Sequence, residues 1–174
     1  VEYDEENKEG GKDEKKDGNT PEDKKGATVR FPPPLIFIFT MAVAYGIHQL
    51  WPLSISKHPV LHYTGLILIL LGITLMMMTG YLFFRAKTHI EPWKPTTTVI
   101  TTGVFAWSRN PIYLAFCIAT VGIGLYLNSL WITGSVIIAA ILVYHIAIKK
   151  EEAYLAEKFG AKYLEYKNRV RRWL

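Results

Sequence analysis

Four apolar runs interrupt an otherwise polar chain: Leu35 to Trp51, Leu61 to Phe84, Ile112 to Leu127 and Trp131 to Ile148. None contains Asp, Glu, Lys or Arg, and none shows strand-like alternation. Only helices and closed barrels satisfy the backbone in lipid, so each run predicts a helix. At ~1.5 Å rise per residue and a hydrocarbon core of about 30 Å, the second run spans comfortably, while the others need flanking residues or a thinner bilayer. The predicted class is all-α: an integral membrane helical bundle of about four transmembrane helices with a C-terminal amphipathic helical segment. The third and fourth runs are joined by so little chain that they predict a tight antiparallel hairpin. Gly122, Gly124, Gly134 and Ser135 are small enough to let those two helices approach closely.

After Lys150 the pattern turns polar, and Gly160 is the expected stop of the helical extension. A second short helix follows, with Tyr163, Tyr166, Val170, Trp173 and Leu174 on one face and Lys162, Lys167, Arg169, Arg171 and Arg172 available to the other. Such a basic amphipathic segment suits an anionic membrane surface. Basic residues collect on the cytoplasmic side of a span. Arg30, Arg85, Lys87, Lys94, Arg109, Lys149 and Lys150 then place both termini, the long 85–111 connection and the 149–174 segment in the cytoplasm, with only Lys57 outside.

Composition separates two regions. Residues 1–30 hold seven Lys or Arg and ten Asp or Glu, with Val1 and Val29 the only large aliphatic residues, and predict a disordered charged tail. That tail is net −3 in a chain of net +5, so the membrane unit, residues 31–174, carries +8. The expected partner is anionic membrane lipid, not nucleic acid. The tail lacks a signal peptide's charged-then-apolar layout, so insertion is expected to be directed by the spans. The single Cys117 excludes an internal disulfide framework or a cysteine-based zinc site, and the five histidines show no paired metal spacing, so no metal is expected. Nothing resembles a P-loop or a Rossmann glycine motif.

Candidate chemistry lies where residues 85–111 and 149–174 meet over the helix ends. The first carries Thr88-His-Ile-Glu-Pro and Ser108-Arg-Asn-Pro, and the second opens with Glu151-Glu152. Ser-Arg-Asn-Pro has a structural reading: Pro111 fits a first helical turn, Ser108 or Asn110 can cap it, and Arg109 can snorkel to phosphates. Paired carboxylates just past a helix end oppose its dipole and are costly beside a span unless paired, which favours a role. His145, within the fourth run, reads as a packing histidine or a polar group of the site.

The strip Thr97-Thr-Val-Ile-Thr-Thr-Gly-Val-Phe-Ala-Trp-Ser-Arg-Asn-Pro-Ile-Tyr113, then Glu151-Glu-Ala-Tyr-Leu and Phe159-Gly-Ala-Lys-Tyr-Leu-Glu-Tyr166, resembles the isoprenylcysteine carboxyl methyltransferases and the related phospholipid N-methyltransferases. The resemblance covers about residues 88–173. It implies S-adenosylmethionine entering from the cytoplasm, and a lipid-like or small hydrophobic acceptor from the bilayer: an isoprenylcysteine carboxylate, a phospholipid amine or a thiol. Carried over by position, Thr97, Thr98, Val99, Ile100, Gly103, Phe105, Asn110, Pro111, Ile112, Tyr113 and Glu151 line the cofactor, and Arg109 and Glu152 are the catalytic candidates. A sulfonium is attracted by aromatic faces such as Phe105 and Tyr113, each worth about 0.5–2 kcal/mol. The cofactor's amino group needs a carboxylate, and its carboxylate needs donors such as Asn110 or Arg109. In-line methyl transfer rests on alignment with water kept out. An amine acceptor also needs its proton removed, with Glu152 the candidate base.

Two positions depart from the carboxyl methyltransferases, which typically have Arg-His-Pro at Arg109-Asn-Pro and a tyrosine at Phe105; asparagine cannot gain charge. Rival readings are a lipid or sterol reductase using NADPH, by fold analogy, and a non-catalytic membrane adaptor. The oligomeric state stays open. The topology is directly testable: tags at either terminus should be inaccessible to protease or thiol reagent added outside intact cells, and labelling of either would reverse the arrangement.

Overall fold

The computed structural model describes residues 26–29 and 31–174; residues 1–25 and Arg30, to which most of the expected charged tail belongs, lie outside the described residues. Among the described residues every regular element is helical: α1 (Pro33–Leu50), α2 (Val60–Arg85), α3 (Pro111–Tyr126), α4 (Leu130–Val143) and α5 (Lys149–Arg169). A 3₁₀ turn occupies Gly103–Ala106, and a π-helical turn, Tyr144–Ile148, joins α4 to α5. α1, α2 and the continuous Leu130–Arg169 helix are long and apolar enough to cross a membrane; Pro111–Tyr126 is apolar but shorter. α3 packs along both α2 and α4, with its most extensive contact to α2.

Local chemistry sets the helix ends. Prolines open α1 and α3, where a missing N–H costs nothing. Ser129 caps α4, its side chain accepting from the Ile132 N–H. At the end of α3, Asn128 takes φ 52°, while the Ser129 N–H donates to the Gly124 carbonyl at 2.8 Å and the Asn128 N–H to the Leu125 carbonyl at 3.1 Å. This is a Schellman closure, in which a left-handed residue satisfies the last carbonyls. The Asn128 carboxamide oxygen also accepts from the Ile55 and Ser56 N–H groups at 2.9 and 3.1 Å, tying the α1–α2 linker to the α3–α4 turn at one end of the bundle. The 86–110 connection and the C-terminal segment meet at the other.

The helices pack in the order α1, α4, α3, α2. Glycines allow α2 and α3 to cross closely: a Cβ at Gly65 would stand 2.7 Å from the Gly122 carbonyl oxygen, and one at Gly122 2.8 Å from the Gly65 carbonyl oxygen. Gly122 therefore serves the α2 contact rather than the hairpin expected for it. Gly124 does pack on Thr133 of α4, whereas Gly134 faces open space.

α5 breaks at Gly160 (φ 49°, ψ −129°), so the expected stop is a kink between two helical halves. The second half differs from expectation in its partner. Tyr163, Tyr166 and Val170 are buried in a cluster with Phe105, and the Tyr166 hydroxyl donates to the Phe105 carbonyl at 2.7 Å. Their aromatic face covers the 3₁₀ turn instead of lying on a membrane, because the protein offers it both an apolar surface and an acceptor.

Because backbone atoms cannot yield as a flexible side chain can, Gly122→Ala should cost about 1–3 kcal/mol through overpacking. Gly134→Ala should not destabilise. Thermal unfolding in one detergent compares them; equal midpoints would refute the close crossing.

Candidate functional site

The end of the bundle holds an open cavity with an empty volume of ≈ 850 Å³, mouth included. Its walls come from the 89–100 connection, the 3₁₀ turn, the start of α3 and both halves of α5. Of the residues singled out from sequence, Thr98, Val99, Ile100, Phe105, Arg109, Asn110, Pro111, Ile112, Tyr113, Glu151 and Glu152 line it. Thr97 and Gly103 are not among the lining residues. The Thr97 N–H donates to the Thr88 hydroxyl at 3.0 Å, and its hydroxyl to the Lys87 carbonyl at 3.2 Å, so Thr97 shapes the connection from behind. Gly103 supplies φ 62°, with Leu82 at its back. His145 lies elsewhere, in a shallow crevice with Tyr144 and Trp173.

His89 and Glu91, from the candidate 88–92 run, also line the cavity, and sequence reasoning assigned no role in the site to several further lining residues: Tyr154, Leu155, Tyr163, Tyr166 and Ala27. Tyr154 and Leu155 carried a legible signal, standing three and four residues after Glu151 on the same helical face. Ala27 carried none.

The adjacent glutamates meet different surroundings. Glu152 is 7 % exposed. Its oxygens accept from Arg172 Nε at 2.8 Å and Arg172 Nη2 at 3.0 Å. Arg109 Nη1 stands 3.3 Å away and Lys167 Nζ 3.8 Å away. Burial pushes its carboxyl upward, but the Arg172 hydrogen bonds and the charges of Arg109, Arg172 and Lys167 outweigh that and hold it below the ordinary value. Glu151, just beyond the apolar part of the α4–α5 helix, has no cation so placed among the described residues. It accepts a short hydrogen bond from the Tyr113 hydroxyl. Burial pushes it up to about 7, against the Tyr113 hydrogen bond and with added repulsion from Glu152. Arg109 is buried and its Nε and Nη1 lack hydrogen-bond partners, the Glu152 contact being ionic only.

The Ser-Arg-Asn-Pro strip is clasped to the C-terminus. The Arg109 N–H donates to the Arg171 carbonyl at 3.0 Å, and the Ser108 hydroxyl and Asn110 carboxamide donate to the Arg172 carbonyl at 3.2 and 3.3 Å. Asn110 stands at the α3 N-cap without a side-chain cap bond, and the Ser108 hydroxyl accepts the Asn110 N–H at 3.2 Å. Arg172 also lies over the Tyr144 ring, 4.9 Å from its centroid. Glu91 and Glu152 are paired with cations, so among the described residues the cavity presents one uncompensated carboxylate (Glu151), one guanidinium with unused donors and several aromatic rings: a donor set for a zwitterionic ligand with an apolar or aromatic body.

The fold and the cavity define an integral membrane helical protein with a ligand-sized site at one end of its bundle. The profile of the phospholipid methyltransferase family matches residues 60–162, and the chain belongs to that family. The protein-S-isoprenylcysteine O-methyltransferase of Saccharomyces cerevisiae is 34 % identical over 112 residues, 61 % of this chain and 45 % of that one. Its Homo sapiens counterpart is 30 % identical over 123 residues, 69 % of this chain and 43 % of that one. The chain therefore spans less than half the length of these relatives. The solved structure of a eukaryotic intramembrane Ras methyltransferase, an isoprenylcysteine carboxyl methyltransferase, shares the fold with a TM-score of 0.59 and 23 % identity, over 81 % of this chain and 51 % of that one.

Glu152→Gln should loosen the C-terminal segment. The expected loss is about 1–3 kcal/mol, below the ~3–5 kcal/mol of a fully buried pair, because water screens the partly exposed Arg172 and Lys167. With the folded carboxyl held below its ordinary 4.5, this contribution is complete above that pH and is lost as the pH falls through the lowered value. The protection factors of residues 168–174, taken relative to intrinsic exchange at each pH, should fall in acid for the wild type and be low at neutral pH for Glu152→Gln; unchanged protection in the variant would show that the ion cluster does not hold this segment.

Proposed function

We propose that this chain binds S-adenosylmethionine in the cavity and transfers its methyl group to a lipid-like acceptor arriving from the bilayer. The observation that carries the reading is the pairing, in one aromatic cavity, of a carboxylate with no cation beside it among the described residues (Glu151) and a guanidinium with buried, unused donors (Arg109). Those groups fit the ligand's ammonium and carboxylate. Phe105, Tyr163 and Tyr166 offer rings to its positive charge, and Val99, Ile100 and Leu155 an apolar wall for its nucleoside. When bound, this cofactor supplies an electrophilic methyl group on a sulfonium.

The chain's own work is alignment and exclusion of water. Tyr113 holds Glu151 by its hydroxyl, and the Ser108–Asn110 clasp holds the C-terminal segment over the cavity. Glu152, pinned by three cations, makes a poor proton acceptor, so its role is to position Arg109 and Arg172. A carboxylate or thiolate acceptor requires no base. On this reading the cavity and both termini are on the cytoplasmic side, and the working unit is the membrane unit, residues 31–174, together with the segment just before it that brings Ala27 to the cavity.

Titration calorimetry of S-adenosylmethionine, and separately of S-adenosylhomocysteine, into detergent-purified protein tests the reading. Micromolar binding should weaken by about tenfold or more in Glu151→Ala, as expected for removing one partner of a buried charge contact. Glu151 is protonated below about 7 in the free site. Affinity should therefore climb by up to about tenfold per pH unit below that value and level off above it, whereas Glu151→Gln should show a flat profile over the same range. Absence of binding by folded wild type would overturn the proposal.

A further inference from the structure

We propose that residues 26–29 form a fixed wall of this cavity, that Gly26 is the residue that lets them cross the 92–94 connection, and that Ala27 sets the space left for the ligand. The proposal rests on the reading of the cavity as an S-adenosylmethionine site, and the wall lies outside the family-matched stretch of residues 60–162.

Sequence composition assigns these residues to the charged tail, yet Gly-Ala-Thr-Val is uncharged and comes directly after Lys24-Lys25. Ala27 and Val29 are each 4 % exposed, as buried as the membrane core, and belong to its cluster with Phe37, Tyr113, Val143 and Ile148. The Gly26 N–H donates to the Trp93 carbonyl at 3.1 Å. A Cβ at Gly26 would stand 2.6 Å from the Pro92 carbonyl oxygen and 2.6 Å from the Lys94 carbonyl carbon, both backbone atoms that cannot swing aside. The crossing therefore requires glycine. One residue later Ala27 lines the cavity, as do Pro92 across the crossing and Tyr113 and Glu151. An alanine there closes the wall with a single methyl group; a larger side chain would occupy ligand space. This short segment thus joins the core through Ala27 and Val29 and bounds the ligand's volume through Ala27.

The test is titration of S-adenosylhomocysteine into the 174-residue protein, the deletions of residues 1–25 and 1–29, Gly26→Ala and Ala27→Leu, with the release rate of bound ligand and the unfolding midpoint of ligand-free protein measured on the same samples. Deleting residues 1–25 should leave affinity within about twofold, while deleting 1–29 should weaken it by about tenfold or more with faster release, one decade for each 1.4 kcal/mol lost. Gly26→Ala should speed release in the same direction. Ala27→Leu, which keeps the wall but thickens it, should weaken binding by about fivefold or more through overpacking of the ligand's space, read at a temperature where the ligand-free variant is fully folded. Full affinity and unchanged release in both the 1–29 deletion and Gly26→Ala would overturn the wall, whatever their midpoints. Wild-type affinity in Ala27→Leu would overturn the role of Ala27. Absence of binding by the folded 174-residue protein would overturn the cavity reading and this proposal together, and is told apart because every variant would then be silent.

Discussion

A carboxylate at the end of a membrane-spanning helix is the constraint on which the cavity-bearing end of this bundle is built. Glu152 is buried, and an ionised group in such a place is tolerated only when opposite charge and hydrogen bonds surround it. The cations come from separate stretches of chain: Arg109 just before α3, Lys167 late in α5 and Arg172 beyond it. Satisfying one carboxylate therefore brings the α3 entrance and the chain terminus together over the start of α5. The Ser108–Asn110 clasp and the Tyr166 hydrogen bond to Phe105 then close the assembly with neutral donors. The cavity is the space these contacts enclose, so its shape derives from an electrostatic requirement of the bundle itself.

The transmembrane part answers a simpler demand. Lipid gives no hydrophobic drive for one apolar helix to choose another, so close approach and packing decide. The Gly65–Gly122 crossing fixes α3 on α2, and the hairpin fixes α4 on α3. The π-helical turn after α4 carries an extra residue, and each residue added rotates the downstream helix by about 100° about its axis. The face presented by Glu151 and Glu152 is thus set apart from the face that α4 presents to α1.

The legibility of the sequence has the same physical origin. The helical runs were legible because long uncharged stretches have few solutions in lipid, and the start of α3 because Pro111 acts locally. The partner of Gly122 was not, because a glycine signals close approach without saying to what. The amphipathic C-terminal half had the same ambiguity: its pattern serves a membrane surface or a protein surface equally, and the acceptor that decides, the Phe105 carbonyl, lies about 60 residues upstream. Most of the candidate site was legible through the 97–113 strip and the paired glutamates. Thr97 and Gly103 stand in that strip without lining the cavity, since an irregular segment turns some side chains away from it. Ala27 was invisible for the opposite reason, a small residue in a stretch whose average composition is that of a solvated tail.

Adjacency of the two glutamates matters more than their number. Successive residues on a helix point about 100° apart, so Glu151 and Glu152 cannot serve one partner. Glu152 meets guanidinium groups, which hold its carboxyl below the ordinary value; Glu151 meets the Tyr113 hydroxyl and is pushed up to about 7 by burial. Each environment depends on the other. Had the Arg109–Arg172 pair faced both carboxylates, Glu151 would have been neutralised by the protein and would have little free charge left for a ligand. By directing that positive charge to Glu152, the chain leaves Glu151 with no cationic partner among the described residues, and a cationic ligand is the species that most favours its ionised form.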